Sequence, residues 1–318
     1  MIPLRLRVHE PRGWLEWLVT SIWRTTSDLT PTEAETLQLR LAPFLSDSES
    51  GEVVVFTFDK DPERREYRLE DSSGEPSQTD LNGLAEGVLT LSADRARELL
   101  RAQDSEDGWL AFRATSAGHT GRGTIQLLDP TGLSVISDID DTVRITEIPA
   151  GVRAVMWNTF VAEFRPVPGM AERLQGWADQ DGSVAFHYLS AGPWQLQPAL
   201  ADFLFDEDPG LPKGTFHMRD LRKNPFSPAT WGDLYSQTFE AGAIYHYKVT
   251  EISEIVERFP GREFILVGDS GQKDPEIYRT IQERFPSQVR EIVIRDVVDA
   301  LETDPERLQG MTVVPGGF

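Results

Sequence analysis

The hydrophobic residues of this 318-residue chain follow two different patterns, which meet near residue 130. Before that point, short β-branched or aromatic runs stand between polar turns, as is typical of antiparallel strands. The runs are 52–60, 65–71, 87–92, 108–116 and 123–129. The last two are joined by Ala-Gly-His-Thr-Gly, which predicts a hairpin. We therefore predict a β-rich, sandwich-like accessory domain over residues 1–130, with leading helices around 14–26 and 32–43.

After residue 130, near-continuous apolar runs alternate with helical periods. Apolar runs of this kind are typical of parallel strands that are covered on both faces. They occupy 133–138, 183–190, 263–269 and 290–296. Helical spacing relates Met170, Leu174 and Trp177, then Ile252, Ile255, Val256 and Phe259, then Ile277, Ile281 and Phe285. This alternation predicts a doubly wound α/β domain over residues 131–318, with an insertion around 200–230.

Composition excludes several classes of function. With no cysteine, the chain has no disulfide framework, no thiolate metal site and no cysteine nucleophile. The five histidines show no His-Glu-x-x-His spacing, so a zinc hydrolase has no support. A net charge of −21 disfavours binding to nucleic acid. No apolar stretch approaches the roughly 18 residues of a membrane-spanning helix, and we expect a cytoplasmic protein.

Peripheral contact with a membrane is an open alternative. Trp14, Leu18 and Ile22 share one face of the predicted N-terminal helix, and Arg24 follows them. The acidic charge of the chain opposes docking on an anionic bilayer. We therefore favour a helix that packs on its own protein.

Polar residues follow the apolar runs where chemistry is expected. Asp138 and Asp140 follow the first run, Ser190 ends the second and Asp269 ends the third. Because parallel strands bind ligands at their carboxyl ends, these side chains are expected to share one site. Crowded carboxylates need either a proton or a cation, and oxygen ligands suit Mg²⁺.

Residues 138–142 match the Asp-x-Asp-x-Thr signature of haloacid dehalogenase-like phosphatases. Later segments occur in the order of that superfamily: His-Tyr-Leu-Ser-Ala-Gly with Ser190, a segment with Lys248, and Val-Gly-Asp-Ser-Gly-Gln-Lys-Asp with Asp269 and Asp274. Together with 164–170 and 211–221, they make residues 131–300 resemble the App1-type phosphatidate phosphatase catalytic domain, which is related to the lipin and LNS2 group. The resemblance implies a haloacid dehalogenase-like fold and Mg²⁺-dependent hydrolysis of phosphatidate to diacylglycerol.

The resemblance also implies a role for each residue. Asp138 would be the nucleophile, and Asp140 would act as general acid and base, kept protonated when substrate binds. Asp138, the main-chain carbonyl of Asp140 and Asp269 would hold Mg²⁺, and Asp274 would either support the metal or cap a helix. Ser190 and Lys248, the latter at a helix start, would donate to the phosphoryl oxygens. Asp141 is expected to face away and cap the following turn.

The substrate assignment leaves alternatives open. Lys213 and Arg219, with Arg222 and Lys223, could cover the site and contact a headgroup, or belong to a solvated loop. A phosphomonoester site of this kind would also serve a soluble substrate. A non-catalytic phosphatidate-sensing module is a further alternative, but the presence of both Asp138 and Asp140 favours an enzyme.

Overall fold

The computed structural model describes residues 2–10, 29–81, 83–180, 184–206, 210–219 and 241–316. The chain divides into two compact units, Met1–Leu15 with Leu45–Leu128, and Glu16–Phe44 with Asp129–Phe318. The predicted helix at 14–26 lies outside the described residues, and the domain bounds 1–130 and 131–318 stay a prediction. None of the helices in the described part is long and apolar enough to cross a membrane.

Helix α1 (Pro31–Leu45) confirms the predicted helix at 32–43. Its start is a capping box: the main-chain N–H of Thr30 donates to Glu33 Oε2 at 2.7 Å, and the N–H of Glu33 donates to Thr30 Oγ1 at 3.3 Å. Pro31 suits the first helical position, where no hydrogen-bonded N–H is required.

Antiparallel strands build the first unit. They are β1 (Ile2–Arg7), β2 (His9–Glu10), β3 (Asp47–Ser48), β4 (Val55–Phe58), β5 (Tyr67–Arg68), β6 (Leu84–Leu89), β7 (Trp109–Ser116) and β8 (His119–Gln126). The order β5-β4-β7-β8 forms a four-stranded sheet, while β1 pairs with β6 and β2 with β3. Helix α2 (Ala93–Gln103), which the hydrophobic pattern did not predict, packs Leu99 into the core beside Phe56 and Leu110. The sandwich arrangement stays a prediction.

The predicted hairpin is confirmed, with a shorter turn than expected. Only Ala117 and Gly118 separate β7 from β8, and both have positive φ, as tight hairpin turns require. Gly123 lies within β8, where the ring of Phe112 covers it and leaves no room for a side chain. A Cβ at this position would come within 2.9 Å of Phe112 Cε1. Gly121, which was predicted to lie in the connecting turn, is a strand residue of β8, whereas Gly118 does lie in the turn.

A six-stranded parallel sheet forms the centre of the second unit. Its strands are β9 (Thr131–Asp138), β10 (Ala185–Pro193), β11 (Thr215–Arg219), β12 (Gly261–Asp269), β13 (Val289–Asp296) and β14 (Thr312–Pro315). The strand order is β11-β10-β9-β12-β13-β14, with every pair parallel. The predicted α/β class is confirmed, and the order reverses between β9 and β12. Such a reversal leaves a crevice at the carboxyl ends of the strands.

Besides α1, most of which belongs to this unit, the α-helices of its described residues are α3 (Val152–Phe160), α4 (Met170–Gln180), α5 (Gln197–Asp206), α6 (Ala241–Arg258), α7 (Asp274–Arg284) and α8 (Ala300–Thr303). The three predicted helical periods fall on α4, α6 and α7. Ile252 and Ile281 pack with Ile136, Leu266 and other sheet residues in one buried cluster. Residues 133–138 of β9 are all buried, as expected for a strand covered on both faces.

The segment interpreted as an insertion around 200–230 contains regular structure. Its first part forms α5, and residues 215–219 form β11, an edge strand parallel to β10. This strand has no apolar run because it lies at the edge of the sheet, where His217 and Arg219 are only half-buried. Residues 220–230 lie outside the described residues.

Candidate active site

Acidic side chains from three elements meet at the carboxyl edge of the parallel sheet. Asp138 ends β9, Asp269 ends β12, and Asp274 begins α7. All three are buried, and one carboxylate oxygen of each lies within 4.8 Å of the others. Since β9 and β12 flank the reversal in strand order, the cluster occupies the position where open α/β sheets bind ligands.

A buried lysine bridges two of these carboxylates. Lys248 Nζ donates to Oδ1 of Asp138 and to Oδ1 of Asp274, at 2.6 Å in each case. Burial lowers the pKa of Lys248, but the two carboxylates outweigh it and raise that pKa above its ordinary value. The residue lies about two turns into α6, not at the start of a helix as predicted.

Asp274 faces the site and makes no cap for α7. Its Oδ2 accepts the main-chain N–H of Asp269 at 3.4 Å, and the residue before the helix, Lys273, has no side-chain capping bond. Gly268 makes room for this arrangement, because a Cβ there would lie 2.8 Å from Asp274 Cβ and 2.7 Å from Tyr278 Cε2. Of the two predicted roles, the geometry favours support of the metal site.

The carboxylate of Asp269 is held on one side only. Its Oδ1 accepts the main-chain N–H of Gly271 at 2.6 Å. Its Oδ2 is buried and has no hydrogen-bond partner among the described residues. An oxygen left in this state is costly unless it coordinates a ligand or carries a proton.

Burial and mutual repulsion shape the charge of this cluster. Burial raises the pKa of Asp138, and Asp274, Asp269 and Asp140 raise it further against the opposing effect of Lys248. Burial and Asp274 likewise raise the pKa of Asp269. If the three clustered carboxylates ionise, one lysine leaves two negative charges unbalanced, and a divalent cation would balance them.

The residues present fit Mg²⁺. The donors are carboxylate oxygens, which are the ligands that hard cations prefer, and Asp269 Oδ2 is an orphaned buried acceptor among them. The carboxylate of Asp140 lies outside this group, so the ligand expected from Asp140 is its main-chain carbonyl.

Asp140 is occupied by other partners. Its Oδ1 accepts from the guanidinium of Arg144 and from Thr146 Oγ1 at 2.7 Å, and its Oδ2 accepts from Ser190 Oγ at 2.9 Å. Burial raises the pKa of Asp140, but the charge and hydrogen bond of Arg144, with the two hydroxyl groups, outweigh it and lower that pKa below its ordinary value. Without substrate, Arg144 therefore favours the ionised form of Asp140, and the protonated form expected in the substrate complex stays a prediction.

Asp141 turns away from the carboxylate cluster, as predicted. Its Oδ1 accepts the N–H groups of Thr146 at 2.8 Å and Glu147 at 2.7 Å, and its Oδ2 accepts that of Ile148 at 2.6 Å. These bonds close the loop that follows β9. Asp141 therefore shapes the loop that carries Asp140 and Arg144.

Ser190 lies near the end of β10, where the register with β11 shifts. Besides donating to Asp140, its Oγ accepts the main-chain N–H of Gly192 at 3.0 Å. Ser190 is buried beside the predicted acid and base, so the structure brings it to the site.

A cleft opens beside Asp138. Its floor is polar and includes Asp138, Asp140, Arg144 and Ser190. Its wall is largely apolar, and α3 supplies much of that wall. The remaining lining residues are Thr146, Ile148, Val155, Met156, Thr159, Phe160, Ala191, Gly192, Pro193, Leu196, Leu200, Met218 and Gln272.

The predicted headgroup cations lie elsewhere. Lys213 is exposed and precedes β11, so it lies at the amino edge of a parallel sheet whose carboxyl edge holds Asp138. Arg219 ends β11 at the correct edge, with its guanidinium carbon 5.7 Å from the centre of the Tyr247 ring, but it does not line the cleft. Arg222 and Lys223 lie outside the described residues.

Neither the position of Arg144 in the site nor the apolar wall was predicted from the sequence. Arg144 follows Asp140 by four residues, and nothing in the sequence distinguishes it from a surface arginine. The wall comes from α3, α5 and β11, whose residues are far apart in the chain and carry no motif. Only Gly268, directly before Asp269, offered a signal, since a glycine at a strand end often marks a close approach.

The chain is similar to known proteins over about half of its length. Residues 133–296 match the family model described as the catalytic domain of phosphatidate phosphatase APP1. The chain is 30% identical over 183 residues to phosphatidate phosphatase APP1 of Saccharomyces cerevisiae, which is 56% of this chain and 28% of the yeast protein. It is 28% identical over 178 residues to an uncharacterized protein of Schizosaccharomyces pombe, which is 55% of this chain and 27% of that protein.

The match thus covers little more than a quarter of each yeast protein. The match to the family model runs from β9 through β13 and contains every residue of the carboxylate cluster as well as Ser190 and Lys248. The chain therefore belongs to the family of phosphatidate phosphatase APP1 catalytic domains.

Proposed function

We propose that this chain is a Mg²⁺-dependent phosphomonoester hydrolase that converts phosphatidate to diacylglycerol and phosphate. The observation that carries the proposal is the cluster of Asp138, Asp269 and Asp274, which is buried at the reversal of strand order, with Asp138 lining a cleft that has an apolar wall. Membership of the APP1 catalytic family supports both the class of reaction and the substrate.

Asp138, Asp269 and the main-chain carbonyl of Asp140 would hold the Mg²⁺, with Asp274 supporting them. Bound there, Mg²⁺ would neutralise phosphoryl charge, so that an anionic nucleophile can approach an anionic substrate. Lys248 positions two of the carboxylates through its bonds to Asp138 and Asp274. Its location in the middle of a rigid helix makes it a firm support for the nucleophile.

Asp138 is the proposed nucleophile because it lies on the cleft floor at the end of a buried strand. One of its carboxylate oxygens would form a bond to phosphorus as the bond from phosphorus to the glycerol oxygen breaks. The product of this step is an aspartyl-phosphate and a free diacylglycerol alkoxide that takes up a proton. Water would then break the phosphorus bond to Asp138 and release phosphate, which divides a difficult hydrolysis into two displacements.

Asp140 is the proposed acid and base for these steps, since it lies within hydrogen-bond distance of Ser190 on the same floor. It would give its proton to the alkoxide and then take one from the attacking water. The base role suits the ionised state that Arg144 favours. The acid role requires that Asp140 carry a proton in the substrate complex.

The apolar wall is the feature that favours a lipid over a soluble ester. Val155, Met156 and Phe160 of α3 line the cleft together with Leu196 and Leu200. Apolar side chains beside a phosphate site would contribute little to binding a sugar or nucleotide, whereas they would bury the glycerol ester and the adjacent acyl carbons of phosphatidate.

The test is phosphate release from phosphatidate in mixed micelles by metal-stripped protein, with and without Mg²⁺, beside the Asp138→Asn variant. We expect Mg²⁺-dependent turnover that falls by at least about 1,000-fold in the variant. The matched control is Asp299→Asn, because Asp299 is exposed and its positive φ is one that asparagine tolerates.

Each other outcome has a defined meaning. If only a soluble phosphomonoester is cleaved, the lipid assignment is wrong while the mechanism stands. If neither substrate is cleaved but phosphatidate binds, the chain is a sensing module. If Asp138→Asn keeps full activity, the nucleophile is assigned incorrectly.

A further inference from the structure

The guanidinium of Arg144 is buried in the loop after β9, and two of its nitrogen donors have no hydrogen-bond partner among the described residues. Its side chain is 2% exposed, and it donates through Nη2 to Oδ1 of Asp140. Its Nε and Nη1 are also buried, and neither has a hydrogen-bond partner among the described residues. Buried donors of a charged group are costly to leave unpaired, so this pair of nitrogens needs an explanation.

The charges around the cleft point to an anion as the missing partner. Among the described residues that line the cleft, Arg144 is the sole cationic side chain, while Asp138 and Asp140 are acidic. Lys248 is fully buried against Asp138 and Asp274 and is absent from that lining. A phosphomonoester dianion that enters this acidic cleft therefore meets one positively charged side chain among the described residues that line it.

Arg144 is held in place independently of any ligand. Its main-chain N–H donates to the carbonyl of Ile139 at 3.0 Å, and its carbonyl accepts from the N–H of Asp141 at 2.7 Å. Its guanidinium carbon also lies 4.5 Å from the centre of the Phe164 ring. A guanidinium fixed in this way loses little conformational entropy when it binds a phosphoryl group.

Arg40 provides an internal comparison. It contacts the same Phe164 ring, with its guanidinium carbon 3.5 Å from the ring centre. Its Nη1, however, donates to the carbonyls of Thr159 and Ala162, at 3.0 and 2.7 Å. Arg40 does not line the cleft, so it shares the ring contact of Arg144 without facing the site.

We propose that Arg144 binds the phosphoryl group of the substrate, donating from Nε or Nη1 to a non-bridging oxygen while Nη2 keeps its bond to Asp140. The proposal rests on the proposed function in one respect, since the anion is the phosphomonoester or the phosphate it releases. Arg144 thereby links the phosphoryl group to Asp140, the proposed acid and base. The directed fork of a guanidinium is needed for this, because lysine offers only a point charge.

The experiment measures the affinity of the full-length, Mg²⁺-loaded chain for inorganic phosphate by calorimetry. The variants are Arg144→Lys and Arg144→Gln, with Arg40→Lys as the matched control and a melting temperature for each. Phosphatidate turnover by the wild type and by each variant is measured in parallel. We expect Arg144→Gln to weaken phosphate binding on the order of 10- to 100-fold, as for loss of a charged hydrogen bond, and to raise KM more than it lowers kcat. The phosphate affinity of Arg144→Lys should lie between those of the wild type and Arg144→Gln. Arg40→Lys should bind phosphate as tightly as the wild type does.

A second measurement does not depend on the variants folding. In a crystal structure of the wild type with Mg²⁺ and inorganic phosphate, Arg144 Nε or Nη1 should lie within hydrogen-bond distance of a phosphate oxygen. Unchanged phosphate affinity in both Arg144 variants would overturn the proposal, as would a bound phosphate that Arg144 does not contact. Arg144-dependent phosphate binding without phosphatidate turnover would leave this inference standing and refute the proposed function instead.

Discussion

The ammonium nitrogen of Lys248 lies 2.6 Å from Oδ1 of Asp138, the proposed nucleophile, and both groups are buried. The same nitrogen lies 2.6 Å from Oδ1 of Asp274. One cation therefore ties the end of β9, the middle of α6 and the start of α7 together. The position of the nucleophile depends on a residue 110 places away in the chain.

Replacing Lys248 should lower the free energy of unfolding more than replacing a surface lysine does. Lys248→Met leaves clustered carboxylates without their cation, which costs about 3–5 kcal/mol when one partner of a buried pair is removed. We expect this loss in the free energy of unfolding, measured with urea in the presence of a chelator, and partial recovery on adding Mg²⁺. Lys273→Met is the control, because that side chain is 49% exposed and should change stability by less than about 0.5 kcal/mol. Equal stabilities of the two variants would contradict the structure.

Adding one methyl group beside the carboxylate cluster should weaken Mg²⁺ binding. In Gly268→Ala the new Cβ would lie 2.8 Å from Asp274 Cβ and 2.7 Å from a ring carbon of Tyr278, so Asp274 must move. Loss of a supporting carboxylate typically lowers metal affinity by about 10- to 100-fold, and we expect a decrease in this range. The measurement is a Mg²⁺ titration followed by melting temperature.

The control for this variant is Gly176→Ala. Gly176 lies within α4, and a Cβ there would meet nothing within 4 Å. Alanine should stabilise that helix by roughly 0.5–1 kcal/mol and leave the Mg²⁺ titration unchanged. A titration of Gly268→Ala that matches this control would show that Asp274 does not support the metal.

A change in the apolar wall of the cleft should lower the rate of hydrolysis of lipid substrates alone. Met156→Gln places a polar group in the wall, and removing part of the apolar contact should lower kcat/KM for phosphatidate about fivefold. Hydrolysis of p-nitrophenyl phosphate should stay unchanged, since that ester needs only the polar floor. Arg153→Gln, on the exposed side of the same helix, is the control and should alter neither activity. Equal losses on both substrates would mean that the wall supports the fold and does not select the substrate.

The first unit should lose stability in acid through Asp61. This buried carboxylate accepts the guanidinium of Arg95 and the N–H groups of Glu63 and Arg65. Burial raises the pKa of Asp61, but these partners outweigh it and lower that pKa below its ordinary value. A lowered folded pKa gives stabilisation that is full above the unfolded value of about 4 and disappears as the pH falls through the folded value.

Hydrogen exchange of the amides of α2 and β7 checks this dependence. Protection in the wild type should exceed that in Asp61→Asn at pH 6, and the difference should shrink as the pH falls below about 4. Asp94→Asn, at a side chain that is 97% exposed, should behave as the wild type. A constant difference between the wild type and Asp61→Asn across that range would contradict the role of the Arg95 pair.

Much of the second unit and its cluster could be predicted because both depend on local pattern. Buried parallel strands require continuous apolar runs, and their carboxyl ends must lie at one edge of the sheet. Asp138, Ser190 and Asp269 follow such runs, so their convergence could be inferred from their positions. Strand β11 could not be predicted, because an edge strand needs no continuous apolar run.

The sequence by itself determined the α/β class and the candidate residues of the cluster, since each follows from a short-range period or motif. The tertiary structure decided the pairings: Lys248 between Asp138 and Asp274, Arg144 on Asp140, and Lys213 at the far edge of the sheet. Charge partners are chosen by proximity across the fold, and a chain of many acidic and basic residues allows many pairings until packing selects one. For the same reason, the direction in which the pKa of Asp140 shifts could be inferred only once its neighbour was known to be an arginine.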